Sequence, residues 1–467
     1  MRKNTVLKIT TGICYGILFL FFLTIVLRLF TRVIVVERLQ VENNAFVNAL
    51  FFDQEQLTST KNGGTFRINE EGENTAEDNT DWASLYPFEQ TDEPVKISPL
   101  EKLENKIASA EAPAVSIMEK LSVYSTDFLM GRQYFVGEMN KMERAIGWNL
   151  GSYNEYNAVV TLDNGRLSEY IPKRDITENA KSLIQLKKFC NGLGCDFLYI
   201  QSPYDICKEE NKNVSGILDF SNQNADNLLA LAKKSGVECL DMRKHLHKDG
   251  LNHADAFYRT DHHWKAETGL WAARNLSEYL NETHGFSIDI SMLLPEQFDY
   301  EIYPSWFLGS RGSKLTADVV PAEDFTMIYP KYQTKLHYEI PGSGIDEIGD
   351  FSVTYDMERA ATTGGYSPEN SYSVYNHGDC AVNILTNLQG NGKKILIIKD
   401  SFTEVVNPFL ACADGVGEVD VLDVRHFTGS VQAFIREKQP DIVIVWYNPS
   451  SISEINWGEH KNTFDFR

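Results

Sequence analysis

The sequence predicts an α/β protein built on a parallel sheet with helices on both faces. Three observations carry this expectation. The runs KKILIIKD (393–400), VDVLDV (419–424) and DIVIVWYN (441–448) are almost unbroken apolar strands, as strands covered on both faces are. Helical spacing separates them, over 402–413 despite Pro408 and over 431–438. The same alternation starts upstream, with DFLYI (196–200) and VECLDM (237–242) as strands between helical patterns at 178–192 and 222–234.

The remaining elements can be taken in chain order. AVVTL (158–162) reads as a strand closed by the turn DNG (163–165). After TDHHW (260–264), Ala266, Gly269, Leu270, Ala273, Leu276 and Leu280 recur at spacings of three and four, which predicts an amphipathic helix. Residues 290–390 are rich in Gly, Ser and Tyr and read as loops with short strands.

The N-terminal part has a different character. Ile9 to Leu27 holds nineteen residues without a charge, between Met1-Arg2-Lys3 with Lys8 and Arg28, Arg32 and Arg38. That length approaches the ~20 residues a helix needs to cross a bilayer, and no small-residue cleavage site follows. Residues 1–30 are therefore expected to form a single transmembrane anchor, with the chain beyond it extracytoplasmic. Residues 31–149 form a membrane-proximal extension. Within it, 62–93 reads as a linker or mobile loop, since 70–93 carries nine acids and no base. The domain proper spans 150–467.

A net charge of −21 argues against nucleic acid as the main partner. Of seven cysteines, Cys14 lies in the apolar span, and the other six show no CxxC or zinc-ribbon spacing.

In open α/β sheets, ligands bind beyond the carboxyl ends of the strands. That rule points at Ser401, at Arg425-His426 and at Asn448. Ser401 follows ILIIKD and precedes a helical pattern, so helix-N-terminal amides lie near its hydroxyl to hold an oxyanion. A serine is a weak nucleophile unless an oriented base takes its proton, and Asp261-x-His263 supplies both base and orienting acid. Each residue also has a plainer reading. Ser401 and Asp261 serve equally as helix caps, and Asn448 before Pro449 is a common turn residue. A metal site is the third alternative, because five of the ten histidines (His245, His247, His253, His262, His263) fall within nineteen residues. No HExxH motif accompanies them, so no metal is expected. GSRGSKL (309–315) is either a flexible loop, part of an oxyanion hole or a sugar-binding segment.

TDHHW (260–264), together with IIKDSFTEVVNPFLA (397–411), VDVLDVRHF (419–427) and DIVIVWYN (441–448), resembles the DHHW family. That family is related to the SGNH-hydrolase-like domains of the alginate O-acetylation proteins. The resemblance covers roughly 150–449 and implies a flavodoxin-like SGNH fold with circularly permuted motif order, Asp and His preceding Ser. It implies Ser401 as nucleophile, His263 as base and Asp261 as its partner, with Asp400 and Trp264 in support. Gly429 and Asn448 are the matching candidates for the oxyanion hole. His262 is a neighbour, since related proteins carry Asp-x-His-Trp here. One departure stands out, Lys399 where the pattern has Gly. The function implied is O-acyl transfer, or ester hydrolysis, on hydroxyls of an envelope or secreted polysaccharide without a cofactor. A multi-span membrane O-acyltransferase is the implied acyl donor. The alternative is a carbohydrate-binding or scaffolding component that has lost turnover.

Overall fold

The computed structural model describes residues 67–68, 74–75, 80–88 and 159–467, apart from 163–164, 170, 172, 208–218, 316, 318, 361–364, 368–369 and 454–462. The chain divides into two compact units, and the described residues belong to the second, Phe66–Glu89 with Met139–Arg467. The expected anchor at 1–30 and most of the extension at 31–149 lie outside the described residues. Among the described residues, no helix is long and apolar enough to cross a membrane.

Eight strands form the central sheet among these residues. They are β1 (Asp196–Gln201), β2 (Cys239–Asp241), β3 (Leu336–Ile340), β4 (Ile345–Gly349), β5 (Val382–Asn387), β6 (Lys393–Lys399), β7 (Val416–Leu422) and β8 (Ile442–Tyr447). Their spatial order is β4-β3-β5-β7-β6-β8-β1-β2. The run β7-β6-β8-β1-β2 is parallel. The other three strands add to its β7 edge in antiparallel fashion. The sheet is therefore mixed, where the sequence predicted a parallel one. The three added strands all come from the stretch read as irregular. Their side chains alternate between core and surface, as in LHYEI, instead of forming apolar runs, because an antiparallel extension needs only one covered face.

Alternation along the parallel strands builds two cores. Ile395, Ile397, Ile442, Ile444 and Trp446 enter one. Leu396, Ile398, Val443, Val445 and Tyr447 enter the other. Helices α1 (Thr177–Leu193), α2 (Ser221–Lys234) and α6 (Val431–Lys438) contribute Leu183, Leu228 and Phe434 to the second core. Helix α4 (Ala266–Thr283) gives Leu270, Leu276 and Leu280 to the first. The shorter helices α3 (Met242–Lys248) and α5 (Ser310–Leu315) flank the strand ends. An antiparallel pair, Phe298–Phe307 with Glu323–Pro330, completes the first core through Phe298, Phe307, Phe325 and Met327.

Two local departures from expectation have physical causes. The helix expected over 402–413 is divided into a 3₁₀ turn, Ser401–Val405, and a short α-helix, Asn407–Ala411. Pro408 lacks an N–H and is accommodated only where a new helix begins. Within the acidic stretch 62–93, Trp82–Leu85 forms one helical turn docked on the domain. Trp82 is buried, with its ring 5.3 Å from that of Phe427.

Candidate active site

β6 delivers Ser401 to the carboxyl end of the sheet, where the 3₁₀ turn begins. Asp400 caps that turn, accepting from Phe402 N at 3.0 Å. The acid–base loop, 258–263, is closed by a bridge pairing Phe257 with Trp264, just before α4 begins. Glu323 accepts the backbone amides of Arg259 and Thr260 at 2.8 and 2.6 Å, which fixes the loop from the far side.

These elements bring the three sequence-expected residues together. His263 Nε2 lies 2.6 Å from Ser401 Oγ, and His263 Nδ1 lies 2.6 Å from Asp261 Oδ1. The same carboxylate oxygen accepts from the His263 backbone N–H at 2.9 Å. All three side chains are buried. Burial pushes the Asp261 carboxyl up, but His263, His262 and the hydrogen bonds to His263 outweigh it, holding the group well below the usual carboxylate range. A carboxylate that stays ionised is the form that can orient an imidazole and stabilise its cation.

Two supports of this arrangement were not read from the sequence. Tyr372 stacks on the His263 ring, with centroids 3.9 Å apart and planes 8° from parallel. It lies in a stretch without regular patterning, so no sequence signal pointed to it. The second is α5. Ser310 N, at its start, donates to Asp261 Oδ2 at 2.7 Å. A Cβ on Gly309 would run into the Asp261 carboxylate, so glycine is required for this close approach. GSRGSKL is thus an ordered clasp on the acid, anchored by buried Arg311, which binds Asp205 and donates to Tyr204 Oη at 2.8 Å.

Other expected residues fall elsewhere. Trp264 was expected to buttress the histidine ring; instead its Nε1 donates to Phe402 O at 2.7 Å, bracing the turn that carries Ser401. Asn448 was expected to face an oxyanion. Its side-chain amide instead donates to Asp400 Oδ2 at 2.8 Å and to Ser451 Oγ at 3.3 Å. Asp400 Oδ2 also accepts from Asn448 N and Ser451 Oγ, both at 2.7 Å, so Asp400 ties the ends of β6 and β8 together. Gly429 approaches Trp82 O and the Tyr86 side chain, where it admits the docked turn 80–88. Its neighbours there are not those of an oxyanion donor. His262 Nδ1 lies 3.5 Å from both Asp261 Oδ1 and Ser310 Oγ, beside the relay.

Lys399 is the departure that most endangered a catalytic reading, and its position removes that objection. Lys399 is fully buried in a cluster of its own. Its Nζ binds Asp379 at 2.6 Å, Asp423 at 3.1 Å, and Glu404. Arg425 closes the cluster on Asp379 and Asp423 at 2.8 and 2.6 Å. Burial pushes the Lys399 ammonium down, yet its carboxylate partners hold it well above its usual value. Burial also pushes Glu404 up to about 8. Arg425 and Lys399 hold Asp379 well below the usual range and Asp423 at about 2, against the effect of burial. Two cations therefore face three acidic side chains within one buried cluster.

The Asp261, His262 and His263 donor atoms lie within 4.8 Å of one another, a spacing a metal ion could bridge. Both nitrogens of His263 are already engaged, with Asp261 and with Ser401. That engagement favours the relay.

Comparison with known proteins agrees with this architecture. Residues 205–291 match the family described as the SGNH hydrolase-like domain of acetyltransferase AlgX, a span that includes the acid–base loop. No curated protein sequence matches. Among solved structures, Bacillus cereus PatB1 with a sulfonyl adduct superposes with a TM-score of 0.52 and 19% identity, covering 66% of this chain and 98% of that one. A DHHW family protein from Eubacterium siraeum gives 0.48 and 17%, over 65% and 94% of the two chains. The O-acetyltransferase domain of Pseudomonas putida AlgJ gives 0.37 and 12%, over 64% and 93%. Over residues 205–291 the chain is thus similar to the SGNH hydrolase-like domain of acetyltransferase AlgX, and it shares its fold with PatB1.

Proposed function

We propose that the protein is a serine-dependent O-acyltransferase or esterase acting on polysaccharide hydroxyls. The observation that carries this reading is the continuous hydrogen-bonded line from Asp261 through His263 to Ser401, at 2.6 Å for each link. As the Ser401 hydroxyl attacks an acyl carbonyl, His263 Nε2 takes its proton, and Asp261 stabilises the resulting imidazolium. The tetrahedral intermediate then expels its alcohol, which receives that proton from His263. A sugar hydroxyl, deprotonated in turn by His263, attacks the acyl-serine and regenerates Ser401. The backbone amide of Ser401, at the start of the turn, is the donor assigned to the oxyanion, since the Asn448 amide is engaged with Asp400.

The apolar stretch 9–27 and its basic flanks support a single-pass anchor with the domain outside the membrane. An extracytoplasmic polysaccharide acceptor and a multi-span membrane acyl donor fit that placement. Turnover of an activated acetyl ester, with and without an oligosaccharide acceptor, tests both halves of the reading. Acetylated oligosaccharide at the expense of free acetate supports transfer. Release of acetate alone supports an esterase. Undiminished turnover in S401A, or no labelling of Ser401 by a sulfonyl fluoride, rejects the serine mechanism.

A further inference from the structure

Five histidines crowd residues 245–263, and the acid–base relay engages only His263, with His262 beside it. Two of the others meet a cysteine. Cys207 follows the end of β1, His247 lies on the last turn of α3, and His253 opens the short helix His253–Ala256. One donor atom from each lies within 4.8 Å of the other two. Cys207 Sγ and His247 Nε2 are 3.4 Å apart. A tetrahedral zinc ion with a sulfur at ~2.3 Å and a nitrogen at ~2.05 Å sets its S···N edge at about 3.5 Å. We propose that Cys207, His247 and His253 form a binding site for a thiophilic divalent ion, zinc foremost, behind the loop that carries Asp261 and His263.

The surroundings suit such an ion. Cys207 and His253 are buried while His247 is exposed, so the ion has a route in and a solvent-facing position for a water ligand. One thiolate and two neutral imidazoles match the softness that favours zinc over magnesium or calcium. The Phe257 ring stacks on His253 with centroids 5.0 Å apart, fixing the imidazole's plane. A reactive thiol paired with His247 would need access for an electrophile, and burial of the sulfur opposes that. The ion's role is set by its position. Phe257 is bridged to Trp264, and its ring lies 6.4 Å from that of Phe402, next to Ser401. An ion held by three separate elements would staple the segment 253–257, from which the acid–base loop departs.

Cobalt(II) titration of the full chain, purified without a histidine tag, tests the site. We expect an equimolar uptake of Co²⁺ with a thiolate-to-metal charge-transfer band and intense tetrahedral d–d bands, both displaced by Zn²⁺. C207S should abolish the charge-transfer band, and H247A, at an exposed position, should weaken binding at least about tenfold. Zn²⁺ should raise the melting temperature of the wild type by a few degrees and leave C207S unmoved. S401A should bind as the wild type does, which separates this site from the catalytic reading. Absence of the charge-transfer band in the wild type, or its survival in C207S, overturns the proposal. So does a weak octahedral spectrum alone, as would Co²⁺ held by Asp261 and His262 without sulfur.

Discussion

Two buried clusters meet the end of β6, one at Lys399 and one at Ser401 just beyond it. The Asp261–His263–Ser401 line joins a carboxylate, an imidazole and a hydroxyl through two contacts of 2.6 Å. The Lys399 cluster pairs Lys399 and Arg425 with Asp379, Asp423 and Glu404, while Asn376 also donates to Glu404. The first arrangement can pass a proton. The second pairs opposite charges across separate elements and holds the strand ends together. The contrast teaches that a charged residue near Ser401 need not belong to its chemistry, because buried partners of its own can engage it.

Breaking the relay should have the largest effect. S401A and H263A should each lower ester turnover by about 10⁴-fold while leaving the melting temperature close to that of the wild type. Equal turnover in either variant would remove the relay from the mechanism. D261N preserves the shape and loses the charge, so kcat should fall by about 10⁴-fold with little change in KM. A loss confined to KM would instead place Asp261 in substrate binding.

The Lys399 cluster should respond in stability. K399M strands buried carboxylates without their cation and should cost about 3–5 kcal/mol in urea unfolding. Per folded molecule, turnover should be nearly retained; a large loss of kcat in the folded variant would erase the distinction between the clusters. Y372L removes the stacking partner of His263 and should reduce kcat by about 3–10-fold, in line with ~0.5–1.5 kcal/mol for an aromatic pair. A smaller change is expected from E404Q. The folded value of Glu404, about 8, lies above its ordinary 4.5. Its contribution to stability is thus fully present below about 4.5 and lost as pH rises through about 8. E404Q should flatten the fall of melting temperature over that window, and an unchanged slope would show that Glu404 is ionised throughout.

Legibility differed sharply between parts of the chain. The parallel strands were read within a residue or three of their ends, because burial on both faces leaves uninterrupted apolar runs. Strands β3 to β5 were expected only as unplaced short strands within 290–390, although IPGSGI, closing the hairpin from Ile340 to Ile345, carried a turn signal in Gly342 and Gly344 with φ of 87° and 83°. Asp261, His263 and Ser401 were legible as strand-end and loop residues of complementary chemistry. Tyr372, Gly309 and Ser310 were not, since what they contribute is contact and not a motif.

The sequence by itself determined the layered α/β order, the strand ends at which chemistry gathers, and the pairing of an acid–base loop with a serine 138 residues downstream. Those features rest on local periodicity and on residue chemistry, which a linear chain displays. Only the tertiary structure decided that Asn448 serves Asp400, that Gly429 serves Trp82, and that Lys399 is enclosed by carboxylates. Each of those outcomes depends on which donors and acceptors meet across separate elements, and that is set by packing once water has been excluded.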